Sequence, residues 1–176
     1  MTLTLLVLAM IAAANPFRAA SARDDNADRT TVGLALAATL LLVLIAAGVS
    51  GPLLELVDVA GPSARIAAGV ALLVIALKDI FATPPIPQPA LPGWQAGLVP
   101  LAFPVIFSPA LALLAVAGAA ERGVAVALFA AAVALVPAAV ALLVGPTEPH
   151  RIWTGAVGGF GTAIAALVVL DGVYAI

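Results

Sequence analysis

The chain has 176 residues, of which 64% are hydrophobic and only 9% are charged, and its net charge is −2. A soluble domain carries about 25% charged residues, so this composition excludes an ordinary water-soluble fold and indicates helices in lipid. No basic run is present to bind nucleic acid. The absence of cysteine and the single histidine, His150, argue against a thiolate metal site and against a Cys- or His-based triad.

Polar and Pro/Gly-rich stretches divide the sequence into six apolar segments, each near the ~20 residues that a helix needs to cross a bilayer. In chain order they are residues 2–20, 31–49, 63–81, 95–120, 123–144 and 152–174. The stretch 53–60, with Glu55 and Asp58, is predicted to lie at the interface, and residues 83–94 form a proline-dense linker. We therefore predict a single all-α membrane domain with six transmembrane helices.

The distribution of Lys and Arg in the short loops predicts the orientation, because basic loops stay in the cytoplasm. One side of the membrane receives Arg18, Arg23, Arg29, Lys78 and Arg151, whereas the other receives only Arg65 and Arg122. Both termini are therefore predicted to lie outside.

The two halves of the chain share a pattern. Segments one and four each carry a break that ends in proline, and segments three and six each carry Gly, nine residues, then Asp. The matching motifs are Asn15-Pro16 with Ser108-Pro109, and Gly69 to Asp79 with Gly161 to Asp171. Three spans per half invert the second half, which predicts a 3+3 inverted repeat of residues 1–82 and 95–176 with broken first and fourth helices. Chance similarity between Ala/Leu/Val-rich helices is the alternative.

Both breaks have the residues that start a helix. Asn and Ser are strong N-caps, and proline is favoured at the first helical position, so new half-helices are predicted at Pro16 and Pro109. In a bilayer, the unpaired backbone groups of a break must be buried or line a wet cavity. Such helix N-termini suit an anion or a polar headgroup, and the preceding carbonyls suit a cation. The alternative is a pair of proline kinks that serve packing.

Three charged residues complete the candidate site. A carboxylate inside a span is costly and hence suspect, but Asp79 and Asp171 lie near predicted helix ends, where anchoring at water is the favoured interpretation. Arg18 could select anions, although a role in orientation is favoured. The predicted substrate-binding set is Asn15, Pro16, Arg18, Asp79, Ser108, Pro109 and Asp171, with no metal and no cofactor.

Gly155 and Gly159 form a small-xxx-small spacing, which permits close approach of helices. This spacing predicts tight packing, either within the chain or between subunits of a homo-oligomer or a larger membrane complex.

At these motifs the sequence resembles the MarC-type integral membrane proteins of the LysE-like transporter superfamily. The resemblance is carried by Asn15-Pro16 and by residues 65–77, 99–109 and 170–172. It implies six spans, the inner membrane of a bacterium and a transport role. Two departures fall at the breaks: Phe17-Arg18 stands where the family continues with glycine and a second proline, and Ser108-Pro109-Ala110 replaces Gly-Pro-Gly.

These features predict a small secondary transporter or exporter of a small polar or anionic substrate, with its site between the two broken helices. Transport would be driven by a gradient, since the sequence has no P-loop motif. The alternative is a non-transporting membrane subunit that scaffolds or regulates a larger complex. An enzyme is not predicted, because the sequence offers no paired intramembrane acids and no His/Ser constellation.

Overall fold

The computed structural model describes residues 1–23, 28–81, 95–144 and 151–176, and within these ranges it contains helices and no strand. The predicted linker 83–94 and His150 lie outside the described residues. The helices are α1 (Leu3–Ala14), α2 (Pro16–Ser21), α3 (Arg29–Gly48), α4 (Ser50–Leu56), α5 (Gly61–Phe81), α6 (Pro109–Arg122), α7 (Val124–Val144) and α8 (Arg151–Val173). A wider-wound stretch before α6, Gly97–Ile106, is called the π segment; Val99 and Phe103 have non-helical dihedral angles.

By length and composition, four stretches of the described chain can cross a membrane. They are Leu3–Ser21 (α1 with α2), Arg29–Gly48, Val124–Val144 and Ile152–Val173. The π segment and α6, bent by 67° at the break between them, would form a fifth span. The structure thus gives four or five candidate spans where six were predicted. Two helices remain: α4 has only seven residues, and α5 has 21 residues but carries Arg65, Lys78 and Asp79.

The outward faces of the long helices are apolar. More than half of the side chain is exposed at Leu41, Ile45, Val74, Val136 and Val140. In water, leaving such a side chain exposed costs about 25 cal/mol of free energy per Å² of apolar surface, relative to burying it. In a bilayer this penalty disappears, so the surface fits a helix bundle whose outer face contacts lipid.

Helices α5 and α8 pack closely in antiparallel orientation through glycines. A Cβ atom on Gly158 would lie 2.8 Å from the carbonyl oxygen of Ala76, and one on Gly172 would lie 3.0 Å from that of Pro62. The start of α8 thus meets the end of α5, and the end of α8 meets its start. Only glycine allows the two backbones to approach this closely.

Two neighbouring glycines of α8 should respond oppositely to substitution. Gly158→Ala places a methyl group against backbone and should destabilise the bundle by about 1–3 kcal/mol through overpacking. Gly159→Ala meets nothing within 4 Å and should stabilise the helix by about 0.5–1 kcal/mol, because alanine loses less backbone entropy on folding. Thermal unfolding in detergent measures both, and equal shifts in the same direction would contradict the packing described here.

The middle helix of each half, α3 or α7, packs against the broken helix of the other half. Helix α3 packs against the π segment and α6, whereas α7 packs against α1 and α2. The two halves are therefore packed into each other, and the break residues Asn15 and Ser108 are buried inside the bundle.

Candidate functional site at the two helix breaks

Asn15 forms the first break. Helix α1 ends at Ala14, α2 begins at Pro16, and Asn15 between them is fully buried with φ of 33°. Asparagine is one of the few residues that tolerates a positive φ. Its Oδ1 accepts a hydrogen bond from the amide of Arg18 (3.3 Å), which caps α2. Its Nδ2 donates to Oδ2 of Asp79 (2.8 Å) and to the carbonyl oxygen of Thr154 (3.3 Å). The cap thereby joins α2 to α5 and α8.

Ser108 forms the second break in the same manner. It is only 3% exposed and precedes Pro109, the first residue of α6. Its Oγ accepts a hydrogen bond from the amide of Leu111 (3.3 Å) and donates to the carbonyl oxygen of Ala13 (3.4 Å). The side chain that caps α6 thus touches the last turn of α1. Both predicted caps are present, and the two breaks meet inside the bundle.

Arg18 lies at the junction of the two breaks. Its Nη1 donates to both carboxylate oxygens of Asp79, at 3.0 and 3.2 Å. Its Nη2 donates to the carbonyl oxygens of Ala13 (2.5 Å) and Val105 (3.1 Å), which lie at the ends of α1 and of the π segment. One guanidinium group therefore satisfies a carbonyl at each break and pairs with a carboxylate. The side chains of Arg18 and Asp79 are only 13% and 5% exposed, and burial of these charges is tolerable because they are paired and hydrogen-bonded.

The structure corrects two interpretations of this site. Asp79 does not reach water at a helix end, because it is buried against Asn15 and Arg18. Arg18 is not merely a loop charge that sets orientation, because its guanidinium points into the bundle. The predicted residues that come together are Asn15, Pro16, Arg18, Asp79, Ser108 and Pro109.

Asp171 does not belong to this group, so its inclusion in the predicted site is wrong. Its Oδ2 lies 2.6 Å from Nη1 of Arg65 and 3.1 Å from the amino group of Met1. Glu121 joins them, with Oε1 at 2.5 Å from that amino group and Oε2 at 3.2 Å from Nε of Arg65. These four residues form what we call the terminal cluster. Arg65 and Asp79 stand about 21 Å apart along α5 at 1.5 Å per residue, which places this cluster at the other end of the bundle.

Sequence reasoning missed the partners rather than the centre of the site. Arg65 was assigned only to orientation, yet it is ion-paired with Glu121 and Asp171. The carbonyl oxygens of Ala13 and Val105 carry no side-chain signal at all. The usable signal was the scarcity of charge, since in a chain with 9% charged residues each charge near a span calls for a partner.

The fold and the buried charge pair define a bundle of apolar helices with a polar junction between two broken ones. Within the described ranges, no group of three His, Cys, Asp or Glu side chains could hold a metal ion. Comparisons with models of protein families, with curated proteins and with solved structures found no match to this chain. The resemblance to the MarC-type proteins therefore stays a prediction.

Proposed function

We propose that the protein is a six-span secondary transporter in a bacterial inner membrane, moving a small polar or anionic solute down or against a gradient without ATP. The observation that carries this proposal is the position of Arg18, whose guanidinium lies between two helix breaks and is bound to a carboxylate. Non-helical backbone at membrane depth is tolerated only inside protein or along a wet path, and transporters place substrate sites at such discontinuous helices.

Contact between the first and last helices supports six spans. The amino group of Met1 lies 3.1 Å from Asp171 near the end of α8, so α1 begins and α8 ends at the same face. That arrangement requires an even number of crossings. Helix α5 supplies the sixth, because it runs antiparallel beside α8 from the terminal cluster to the candidate site. The loop charge bias then predicts that this face lies outside.

The packing of the middle helices supports the inverted repeat. Suppose that residues 1–82 and 95–176 are related by a two-fold axis in the membrane plane. The contact of α3 with the π segment and α6 is then equivalent to the contact of α7 with α1 and α2. The glycine contacts of α5 and α8 are reciprocal in the same way: Gly158 meets Ile80, and Gly172 meets Ile66.

The bond between Arg18 and Asp79 indicates the class of substrate. A guanidinium group presents a planar fork of donors that matches carboxylates and phosphates. In the structure Nη1 of this group donates to both oxygens of the protein's own carboxylate, at 3.0 and 3.2 Å, while Nη2 donates to two backbone carbonyls. An anionic solute could take the place of this carboxylate on Arg18, while Asp79 keeps the hydrogen bond from Nδ2 of Asn15, which makes a small carboxylate or phosphate the preferred substrate.

Transport by reconstituted protein tests the proposal. Liposomes containing the protein should take up an anion such as succinate or inorganic phosphate, and should discriminate against neutral succinamide, which has nearly the shape of succinate. Arg18→Lys keeps the charge but loses the fork, so flux should fall about tenfold or more, as expected for one lost charge-assisted hydrogen bond of about 1.5–3 kcal/mol. Arg29→Lys, at an exposed position, is the matched control. Flux that is unchanged in Arg18→Lys would refute the site.

One observation favours the alternative of a scaffolding subunit. A Cβ atom on Gly155 or Gly159 would meet nothing within 4 Å, whereas Gly158 and Gly161 on the same helix pack against α5. The small-xxx-small surface is therefore open to a second chain. Two results together would favour this alternative. The unsubstituted protein would form an oligomer but move none of the anions above, and the Gly159→Leu variant would no longer form that oligomer.

A further inference from the structure

The ion pairs of the terminal cluster all join the two proposed repeats. Arg65 and the amino group of Met1 belong to the first repeat, whereas Glu121 and Asp171 belong to the second, and each of the four pairs crosses between them. Any rotation of one repeat against the other would strain these pairs.

The charge pair of the candidate site behaves differently. Arg18 and Asp79 both belong to the first repeat, so the same rotation could leave their ion pair intact. It would instead change the bonds that reach the second repeat, from Arg18 to the carbonyl of Val105 and from Asn15 to the carbonyl of Thr154.

The terminal cluster and the candidate site occupy opposite ends of the same helices. Helix α5 carries Arg65 near its start and Asp79 in its last turn, and α6 begins after Ser108 and carries Glu121 at its end. At 1.5 Å per residue, both helices place the two groups about 20 Å apart. The space between them is filled by buried apolar side chains: Leu6, Met10, Leu72, Leu111, Leu114 and Ile164. This core and the terminal cluster together close the site toward the face that bears Met1.

Burial distinguishes the two ion-pair groups as well. The side chains of Glu121 and Asp171 are 27% and 30% exposed, whereas that of Asp79 is 5% exposed, so the carboxylates of the terminal cluster regain water at less cost when their pairs separate. Arg65 is as buried as Arg18, at 11% and 13% exposed, and the Nε of each makes no hydrogen bond, so the difference between the two groups lies in their carboxylates. The terminal cluster is thus the easier of the two groups to open.

We propose that the terminal cluster is a gate, which closes the candidate site toward the Met1 face and opens when the two repeats rotate. The proposal rests on the proposed transport function. In this cycle the partly hydrated pairs of Arg65 exchange protein carboxylates for water, and the apolar core beneath them separates. Arg18 and Asp79 stay together on the first repeat, and Arg18 then exchanges this carboxylate for the solute.

Site-directed labelling tests the gate without any substrate. The chain contains no cysteine, so Ser108→Cys provides a single, nearly isosteric thiol at the candidate site. A membrane-impermeant thiol reagent is applied from the Met1 face or from the opposite face, using vesicles of defined orientation. Arg65→Gln is then introduced to open the gate. Glu55→Gln, an exposed acidic residue of α4, is the control that removes one charge without touching the terminal cluster.

Arg65→Gln is expected to raise the labelling rate from the Met1 face about tenfold, because an open state that is populated at only ~0.1–10% then becomes common. Labelling from the opposite face should not rise, and Glu55→Gln should change neither rate. Asp171→Asn, which removes a less buried partner, should give the same one-sided increase and serves if Arg65→Gln yields no folded protein. Rates that stay unchanged, or that rise equally from both faces, would overturn the gate and leave the cluster a purely structural lock. One-sided opening in a protein that transports no anion would count against the proposed function alone.

Discussion

Replacing Asp79 by alanine is expected to destabilise the bundle by about 3–5 kcal/mol, the cost of breaking a buried ion pair from one side. The substitution leaves the Arg18 guanidinium 13% exposed and without its carboxylate, although its bonds to two backbone carbonyls remain. Asn15 also loses the acceptor that its Nδ2 contacts at 2.8 Å. Reversible unfolding in mixed detergent micelles, followed by circular dichroism, gives the free energy of unfolding. Lys78→Ala, at the exposed neighbouring position, should change it by less than about 0.5 kcal/mol.

A double-mutant cycle separates the ion pair from general loss of packing. Arg18→Ala should cost as much as Asp79→Ala or more, since it strands a carboxylate that is 5% exposed and also frees the carbonyls of Ala13 and Val105. The double variant should be more stable than the sum of the two losses predicts, by about 0.5–3 kcal/mol, because neither charge is then left alone. Strict additivity would show that the two side chains do not interact, and the candidate site would lose its centre.

Local structure at the breaks could be read from the sequence because it depends on neighbours along the chain. An N-cap needs only a short polar side chain followed by a helix, and proline at the first position reinforces it. Asn15 and Ser108 accordingly cap helices that begin at Pro16 and Pro109. The six-span prediction was harder to check, since α5 combines the length of a span with three charged residues.

The partners of the charged residues could not be read in this way. Asp79 meets Arg18 across 61 positions of sequence, and Asp171 meets Arg65 across 106. Which aspartate pairs with which arginine depends on how α2, α5 and α8 lie against one another, and the glycine contacts between α5 and α8 are also long-range. Treating each aspartate as a helix-end anchor was reasonable for an isolated helix, but it was wrong for Asp79 once the helices packed.

Asn15→Asp is expected to lower the free energy of unfolding more than so small a change of side chain suggests, and the loss should depend on pH. Aspartate is nearly isosteric with asparagine and can still cap α2 by accepting from the amide of Arg18. However, it replaces the Nδ2 donor, 2.8 Å from Oδ2 of Asp79, with a second carboxylate oxygen. Two carboxylates at this distance cannot both stay ionised at ordinary cost, so one must hold a proton or the site must separate. The expected loss at neutral pH is about 3 kcal/mol, combining a lost charge-assisted hydrogen bond with repulsion.

Acid should relieve this variant, because a proton shared between the two carboxylates removes the repulsion. Because protonation removes a repulsion that is present only in the folded protein, acid favours the folded state of this variant. The free energy of unfolding of Asn15→Asp should therefore approach that of the unsubstituted protein as the pH is lowered from 8 towards 5. Ser108→Ala is the matched control. It loses one cap, for about 0.5–2 kcal/mol, and introduces no titrating group, so its deficit should not vary with pH in this range. If Asn15→Asp shows the same pH-independent loss as Ser108→Ala, then Asn15 does not face Asp79, and the junction of the two broken helices must be arranged differently.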